Sequence, residues 1–494
     1  MEKEKRIKRE PTLAESIIVI LALVFFVSIG FGLCQFELQA MLLCTAIFTV
    51  FMSMRIGLTW EMCEKAISQR VVKVMPIVYI MFTVGGLIAV LIFSGTIPML
   101  ICYGLQIVKP HLLLPCSFLV CCVLSIVTGT GWGSAGTAGI ALIGIAIGMD
   151  MPLAPVAACV VAGATFGDKL SPMSDTTLLA ALSAGTGLYD HIRSMLYTTV
   201  PAALISLVIY TAYGLRFGAD ASVPESVTSM ISTLDSIYNW NLLLLLPFVI
   251  IFVGALMKKP TLPVMYLAIG VGLVLGVVFQ GFSLQNGFTA FATGFKVELA
   301  GMDSAVTDAN ILTLLQRGGL SSMSNIVLTI FCAYSYAGIS EEAGFMEKII
   351  DSVVAKIKTR GGTVLAAVCT AVILTIIGVS GYISLIMTGE LWRKPYLKQR
   401  MDLCNLSRTC EDGGTMVCSC VPFSTSGLFY ATALGVPVLQ YAPWHFMAYL
   451  CPVLAIIYGF TGFGIKMITQ EEADREMERL GFKNNEERMV GDEA

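Results

Sequence analysis

Apolar runs, many of them long enough for a membrane-spanning helix, follow one another along most of this chain, from Leu13 to Phe463. A helix rises about 1.5 Å per residue and the hydrocarbon core of a bilayer is about 30 Å thick, so about 20 apolar residues cross it. Hydrophobic residues make up 56% of the 494 residues and charged residues only 13%, and the mean hydropathy is +0.80. The pattern predicts an all-α, polytopic membrane protein with about 10–13 transmembrane helices and excludes a soluble multidomain enzyme.

The charges on the chain favour a bilayer as its surroundings and exclude nucleic acid as a partner. The formal net charge is −3 and the pI is near 5.8, whereas a nucleic-acid surface needs dense positive charge to replace counterions. Basic residues before the first apolar run predict a cytoplasmic N-terminus by the positive-inside rule, in a protein of the cell (cytoplasmic) membrane. These residues are Lys3, Lys5, Arg6, Lys8 and Arg9.

Polar and charged stretches divide the chain into five predicted regions. They are a cytoplasmic N-terminal tail (1–12), a first transmembrane half (13–215), a polar connecting loop (216–239), a second transmembrane half (240–465) and a charged cytoplasmic C-terminal tail (466–494). Both halves contain short apolar runs that end in glycine, serine or threonine. Paired interruptions of this kind are typical of transporters that bind their substrate at interrupted helices or re-entrant hairpins.

The clearest interruption is the segment 128–139, Thr-Gly-Thr-Gly-Trp-Gly-Ser-Ala-Gly-Thr-Ala-Gly. Each glycine costs a helix about 1 kcal/mol relative to alanine, so we expect the segment to unwind and expose backbone carbonyl oxygens. Thr130, Ser134 and Thr137 add hydroxyl oxygens, and they are candidate cation ligands. The alternative is a small-residue face for close helix packing.

A second interruption, 167–177, reads Gly-Asp-Lys-Leu-Ser-Pro-Met-Ser-Asp-Thr-Thr and lies between two membrane segments. A carboxylate at that depth is unfavourable by several kcal/mol unless it is paired or binds an ion. Asp168 and Asp175 are therefore candidate ligands for Na⁺, for H⁺ or for both, and Asp175 is expected to be buried. The neutral oxygens nearby belong to Ser171, Ser174 and Thr176.

The start of the following helix is predicted from Ser171 and Pro172. Serine at the N-cap and proline at the first helical position are a favourable pair, and such a helix would aim free N–H groups into the site. The alternative is an ordinary capped loop in which Asp168 and Lys169 form a surface pair.

The second half carries its own acids, Glu411 and Asp412, three and four residues after Arg408. Arg408 either neutralises one acid, leaving the other for a cation, or grips the carboxylate of an anionic substrate. In both halves a Leu-Ser pair precedes an acid that threonine then follows, which predicts that 170–177 and 406–415 are equivalent parts of a repeat.

Five segments of the chain resemble the NhaC-type Na⁺/H⁺ antiporters, a family that includes malate/lactate antiporters. The resemblance runs from about Leu13 to Phe463, and it implies an inverted-repeat secondary transporter of the ion transporter superfamily, with its site between two interrupted hairpins. It leaves the substrate open, because some relatives also exchange organic anions. The segments are Ser94-Gly-Thr-Ile-Pro, the glycine-rich run from Gly129, Phe166-Gly-Asp-Lys-Leu-Ser-Pro-Met-Ser-Asp-Thr-Thr, His191-Ile-Arg and Ser407-Arg-Thr-Cys-Glu-Asp-Gly-Gly-Thr.

The function predicted from these residues is secondary active exchange of Na⁺ for H⁺. Asp175 is the main predicted ligand for cation and proton, with Asp168 and either Glu411 or Asp412 as supporting acids. Because the chain has no phosphate-binding Gly-x-x-x-x-Gly-Lys-Ser/Thr motif, an ion gradient is the expected driving force and no cofactor is predicted.

The main alternative is a Na⁺-coupled or H⁺-coupled exchanger or symporter of a small carboxylate or amino acid. Arg408 and Lys169 would then bind the anion, with help from helix N-termini near Ser171. A passive channel would conduct instead of exchanging. A membrane enzyme is disfavoured because the sequence offers no nucleophile with a base and no metal constellation. A homodimer is compatible with every one of these functions.

Overall fold

The computed structural model describes residues 9–34, 36–172, 174–217, 225–257, 259–303, 309–346, 348–349, 357 and 359–480. Across those residues the regular structure is helical, and the β-type pairing among them is an isolated bridge between Met401 and Met467. The all-α prediction is therefore confirmed. Outside the described residues lie Lys3, Lys5, Arg6 and Lys8 of the N-terminal tail and 481–494 of the C-terminal tail.

Within the described part of the chain, ten helices are long and apolar enough to cross a membrane. Two further helix pairs, bent by 98° and 52°, raise the number to twelve if each pair is one span. The protein is therefore a multi-pass membrane protein, and the number of spans agrees with the expected range of about 10–13.

The helices up to residue 217 are α1 (Leu13–Phe25), α2 (Leu38–Arg55), α3 (Trp60–Phe93), α4 (Thr96–Ile107), α5 (Pro110–Thr128), α6 (Gly131–Ser134), α7 (Ile140–Gly148), α8 (Leu153–Leu170), α9 (Asp175–Ala184) and α10 (Leu188–Gly214). A π-helix (Phe26–Leu33) continues α1, and a π-helical turn (Ala135–Gly139) joins α6 to α7.

The helices after residue 224 are α11 (Glu225–Ile237), α12 (Leu246–Leu256), α13 (Thr261–Gln280), α14 (Leu284–Thr293), α15 (Ala309–Leu315), α16 (Ser324–Ala343), α17 (Arg360–Gly378), α18 (Gly381–Lys398), α19 (Leu403–Gly413), α20 (Thr415–Cys418), α21 (Thr425–Leu434), α22 (Val438–Tyr441), α23 (Phe446–Thr461) and α24 (Gln470–Arg479).

The region between the two predicted halves is more ordered than a loop. Of the predicted polar connection, 216–239, residues 218–224 lie outside the described residues, and α11 occupies most of the rest. The helix forms because apolar residues recur at helical spacing and one face packs inward, where Met230 and Leu234 are buried. The prediction of a plain loop is wrong for this segment.

Helix bounds in two parts of the chain match at a constant offset of 250 residues. The bounds of α17 lie 250 residues after those of α5, and the bounds of α21 lie 250 residues after those of α9. The continuous segment from α6 to α7 matches α18 in the same way. The expected repeat of interrupted helices is thereby confirmed, and we call 110–217 the first copy and 360–467 the second copy.

The register of this repeat differs from the one predicted. At an offset of 250, Asp175 corresponds to Thr425 and Asp168 to Cys418, so Glu411 is not the partner of Asp175. The prediction aligned the two copies by their acidic residues, whereas the ends of the helices show which residues correspond. The carboxylates of Asp168 and Asp175 therefore have no acidic counterpart in the second copy. Glu411 lies inside α19.

The two copies pack against each other reciprocally, as units related by a two-fold axis do. α9 of the first copy packs against α18 of the second, and α21 of the second packs against the π-helical turn between α6 and α7. Within the first copy, α5 and α8 approach closely: a Cβ atom at Gly163 would lie 2.3 Å from the carbonyl oxygen of Phe118. Glycine is required there by the close approach of the two backbones.

Candidate functional site

Each copy contains a helix break with the same geometry. In the first copy, α5 ends at Gly129, whose φ is 69°, and Thr130 caps α6 by accepting a hydrogen bond from the N–H of Gly133 at 3.4 Å. In the second copy, α17 ends at Val379, whose φ is 59°, and Ser380 caps α18. The left-handed residue turns the chain sharply and the hydroxyl cap restarts the helix. The expected interruption in the glycine-rich segment is confirmed.

The second break of the first copy separates α8 from α9. Here the predicted helix start at Ser171 is wrong: Ser171 is the C-cap of α8, and α9 begins only at Asp175. Ser174 occupies the N-cap position, but its hydroxyl group donates to Oδ1 of Asp168 at 2.8 Å. The hydroxyl therefore binds the carboxylate instead of capping the helix.

A cavity of about 880 Å³ lies between these breaks. Residues from both copies line it, so it lies at the interface of the repeat. Its polar walls include Thr130, Asp168, Asp175, Thr176 and Tyr382. The structure thereby brings together four of the residues that the sequence identified as candidates for cation binding.

Asp168 is more enclosed than Asp175, the other aspartate that lines this cavity. It is half-buried, and its second oxygen, Oδ2, accepts a hydrogen bond from the hydroxyl group of Thr176 at 3.4 Å. The hydroxyl groups of Ser174 and Thr176 also contact each other, at 2.9 Å. The backbone amide of Gly131, at the first break, faces the same carboxylate. One negative charge is thus surrounded by neutral polar groups from two breaks.

Asp175 lies in a more open position than expected. It is exposed, and its Oδ2 accepts a hydrogen bond from the hydroxyl group of Tyr382 in the second copy at 2.7 Å. The expected burial is wrong because α9 starts at this residue and its first turn faces the cavity. Asp175 is therefore available to an ion that enters the cavity.

Lys169 of α8, which is among the residues that line the cavity, forms a fully buried ion pair with a residue of α19. Nζ of Lys169, whose side chain is 1% exposed, donates to Oδ1 of Asp412, whose side chain is 0% exposed. Thr198 donates to the same oxygen at 3.1 Å. Glu411 is also buried, and one of its oxygens accepts a hydrogen bond from Thr415. The alternative, an ordinary loop with a surface pair of Asp168 and Lys169, is wrong, because the lysine points into the interface of the copies and pairs with Asp412.

Arg408 does not reach the cavity. Its guanidinium group is buried and donates to the carbonyl oxygens of Ser194 at 3.3 Å and Gly464 at 2.9 Å. Among the described residues it forms no ion pair with Glu411 or Asp412, so the structure does not show the predicted neutralisation by Arg408.

Ser134 and Thr137 are buried, and their hydroxyl groups donate to the backbone of their own helical segment. Ser134 bonds to the carbonyl oxygen of Gly131 at 3.0 Å, and Thr137 bonds to that of Gly133 at 2.7 Å. The structure places these two candidates in the helix packing beside the cavity, whereas Thr130 lines the cavity itself.

Sequence reasoning missed several residues that line the cavity, among them Tyr382 and Thr415. Both have a counterpart in the first copy at the 250-residue offset, Trp132 and Thr165, and all four line the cavity. Comparing Gly-Thr-Gly-Trp from 129 with Val-Ser-Gly-Tyr from 379 would have found Tyr382, whereas Thr415 lies outside these strings. The signal is weak because only one glycine is identical between the two strings.

Comparison with known proteins decides the family. The sequence profile of the Na⁺/H⁺ antiporter family matches residues 10–186 and 163–463, nearly the whole membrane part of the chain. The chain belongs to the Na⁺/H⁺ antiporter family. This places it among transporters, and the two profile matches overlap at 163–186, which contains Asp168 and Asp175.

Three relatives illustrate the range of this family. An uncharacterised Na⁺/H⁺ antiporter of Haemophilus influenzae is 38% identical over 92% of this chain and 97% of its own length. The malate-2H⁺/Na⁺-lactate antiporter of Bacillus subtilis is 33% identical over 92% of this chain and 96% of its own. The Na⁺/H⁺ antiporter NhaC of Alkalihalophilus pseudofirmus is 32% identical over 86% and 90%.

Proposed function

We propose that this member of the Na⁺/H⁺ antiporter family exchanges Na⁺ for H⁺ across the cell membrane and binds Na⁺ at Asp168. The observation that carries the proposal is the position of that carboxylate, half-buried in a cavity between two helix breaks and surrounded by hydroxyl groups. Asp168 forms no ion pair with another described residue, and a membrane carboxylate without a basic partner is expected to hold a cation or a proton.

The groups around Asp168 suit a monovalent cation. Na⁺ needs oxygen ligands that replace its hydration shell, and one carboxylate balances its charge. Ser174 and Thr176 supply hydroxyl oxygens in contact with Asp168, and the break at Thr130 supplies backbone that is not part of a helix. Asp175 and Tyr382 lie at the more open side of the cavity, where a cation first meets negative charge.

The reciprocal packing of the two copies supports alternating access. Each copy places an interrupted helix against the other, and the Asp168 site lies where they meet. Rocking of one copy against the other around a fixed site would expose that site to the two sides in turn. Since the carboxylates at this break belong to the first copy alone, one cation per cycle is the simplest stoichiometry.

The experiment that tests this proposal is exchange in proteoliposomes, with internal pH and labelled Na⁺ followed together. Wild-type protein should move protons out as Na⁺ moves in, and both fluxes should saturate with Na⁺. Asp168→Asn should abolish both fluxes, whereas Asp175→Asn should raise the Michaelis constant for Na⁺ about tenfold and retain exchange. Asp168→Asn with more than a tenth of wild-type exchange contradicts the assignment.

A second candidate function is coupled transport of a small organic anion. The cavity of about 880 Å³ is much larger than one Na⁺ requires, and the charged groups Lys169 and Arg70 line it. Its size falls within the usual range for organic ligands. Labelled malate, lactate and amino acids should be offered to wild-type proteoliposomes, and accumulation that needs a Na⁺ or H⁺ gradient would establish this function.

The orientation in the membrane is also a proposal. Arg9, at the start of the described chain, and Arg55, at the end of α2, both form ion pairs with Glu15, at 2.6 Å and 3.5 Å. The positive charges on either side of the first two helices therefore lie on one face, which the positive-inside rule assigns to the cytoplasm.

A further inference from the structure

Glu411 is a buried carboxyl group that the ion-binding site at Asp168 does not use. Its side chain is fully buried in α19. Its Oε2 accepts a hydrogen bond from Thr415, one helical turn further on, whereas Oε1 has no hydrogen-bond partner among the described residues. An ionised carboxylate in such a place is strongly disfavoured unless a cation pairs with it, and the usual response is that it takes up a proton.

The nearby cations are already engaged. Lys169 faces Glu411 but forms its ion pair with Asp412, and the guanidinium group of Arg408 donates to two carbonyl oxygens. Lys169 thus lies near both Glu411 and Asp412, and it forms an ion pair with Asp412. Within the described residues, Glu411 is left as the acid whose charge has no direct partner.

The other ionisable groups around this acid are Cys410, its neighbour in α19, and groups on several adjacent helices. Asp168 of α8 acts on Glu411 directly. The remaining groups act on its neighbours: His191 of α10 and Cys451 of α23 on Lys169, Tyr396 of α18 on Asp412, and Asp175 of α9 on Asp168.

Glu411 has a route to the cavity through one hydroxyl group. Thr415 lines the cavity and its Oγ1 contacts Glu411, so it stands between the carboxylate and the cavity. The equivalent residue in the first copy, Thr165, also lines the cavity, but its hydroxyl group donates to the backbone carbonyl oxygens of Val161 and Ala162. The acid behind the threonine is therefore specific to the second copy.

We propose that Glu411 carries the proton of the exchange, while Na⁺ is bound separately at Asp168. The inference rests on the proposed Na⁺/H⁺ exchange and divides that reaction between two carboxylates, one in each copy. The proton moves from the cavity to an oxygen of Glu411 past Thr415 and later returns to the cavity when the opposite side is open. No other bond forms or breaks.

The two sites are coupled through their charges. A negative charge on Glu411 adds to the field that holds Na⁺ at Asp168, and protonation of Glu411 removes that charge, so bound Na⁺ and bound H⁺ oppose each other. Exchange follows from this opposition without requiring both ions to compete for one carboxylate. The pH dependence of Na⁺ binding then belongs to Glu411, and a variant without its charge must lose that dependence.

The experiment measures Na⁺ affinity against pH, together with fluxes, in wild type and in Glu411→Gln. In wild type the affinity should fall by up to about tenfold per pH unit below the pH at which Glu411 titrates. In Glu411→Gln the Na⁺ affinity should not change with pH across that range. Na⁺-driven proton flux should fall at least tenfold, whereas exchange of labelled Na⁺ for unlabelled Na⁺ should persist. Glu390→Gln, an exposed glutamate of α18, is the matched control and should behave as wild type.

Persistent Na⁺-driven proton flux in Glu411→Gln overturns the inference, as does a pH dependence of Na⁺ affinity equal to that of wild type. Wild-type protein without Na⁺-driven proton flux overturns the proposed function itself, so the two failures are distinguishable. The flux of labelled Na⁺ shows that the variant is folded.

A second variant tests the inference even if Glu411→Gln does not fold. Thr415→Val removes the hydrogen bond to the carboxylate and should shift the pH midpoint of exchange upward, because a hydrogen bond to the charged form favours that form. Thr165→Val, the equivalent change in the first copy, should leave the midpoint in place. Equal shifts in the two variants, or no shift in Thr415→Val, would contradict the role of Glu411.

Discussion

The buried ion pair between Lys169 and Asp412 should be a main determinant of stability at the interface of the two copies. Its side chains are 1% and 0% exposed, and Oδ2 of Asp412 has no hydrogen-bond partner in the part of the chain that the structure describes. Opposite charges about 4 Å apart attract by about 4 kcal/mol at an effective dielectric constant of about 20, and loss of one partner of a buried pair typically destabilises by about 3–5 kcal/mol. We therefore expect Lys169→Met to lower the free energy of unfolding by about 3–5 kcal/mol.

The two single variants should differ in how much the free energy of unfolding falls. Lys169→Met leaves two adjacent buried acids, Glu411 and Asp412, without a cation. Asp412→Asn leaves a lysine that still faces Glu411, and it should be destabilised by only about 1–3 kcal/mol. The double variant has no unpaired charge from this pair, and its asparagine can still accept a hydrogen bond from Thr198. Its free energy of unfolding should therefore lie within about 1 kcal/mol of that of Asp412→Asn.

The measurement is a double-mutant cycle of unfolding in mixed detergent micelles titrated with sodium dodecyl sulfate. The interaction energy between the two positions should be at least about 2 kcal/mol. If the free energy of unfolding of the double variant falls by the sum of the two single decreases, the charges do not stabilise each other and the reasoning fails.

Two further changes probe the cavity and the helix packing. Tyr382→Phe removes the hydrogen bond to Asp175 and should raise the Michaelis constant for Na⁺ about three- to tenfold in the proteoliposome assay, with the maximal rate retained; an unchanged constant would mean that the contact does not matter for binding. Gly163→Ala places a methyl group against the backbone of Phe118 and should destabilise the protein by at least about 2 kcal/mol, whereas Gly270→Ala, which meets nothing within 4 Å, should be neutral or slightly stabilising in the same unfolding titration.

Residue types and local pattern were enough to locate the break at Gly129 and Thr130, where several glycines in an apolar run make a regular helix unfavourable. They were also enough to identify Asp168 as a candidate cation ligand, because a carboxylate between two membrane segments needs a partner. The predicted start of α9 was wrong by three residues, since the N-cap is Ser174 and not Ser171. Ser171 and Pro172 form a favourable local start, but the hydroxyl group that follows, Ser174, binds Asp168 from across the turn, and this contact exists only in the folded chain.

The repeat shows why similar patterns are not enough to find equivalent positions. Leu-Ser before an acid occurs twice in the sequence, yet Asp175 corresponds to Thr425, because the correspondence follows from the helix breaks at Gly129 and Val379. Valine in a left-handed conformation cannot be recognised by its residue type, since glycine is what that conformation normally selects. Its use here depends on the surrounding helices, which bury Val379 completely.

The sequence by itself determined the class of protein, the number of spans within a few, the family and the segment that contains Asp168 and Asp175, because hydrophobic run length and glycine content act locally along the chain. Only the tertiary structure decided which acids face the cavity and which are buried behind it. Lys169 and Asp412 are 243 residues apart in the chain, and their pairing follows from the packing of α8 against the second copy. A buried charge is stabilised only by what surrounds it in space, and for Glu411 that environment is formed by helices from both copies.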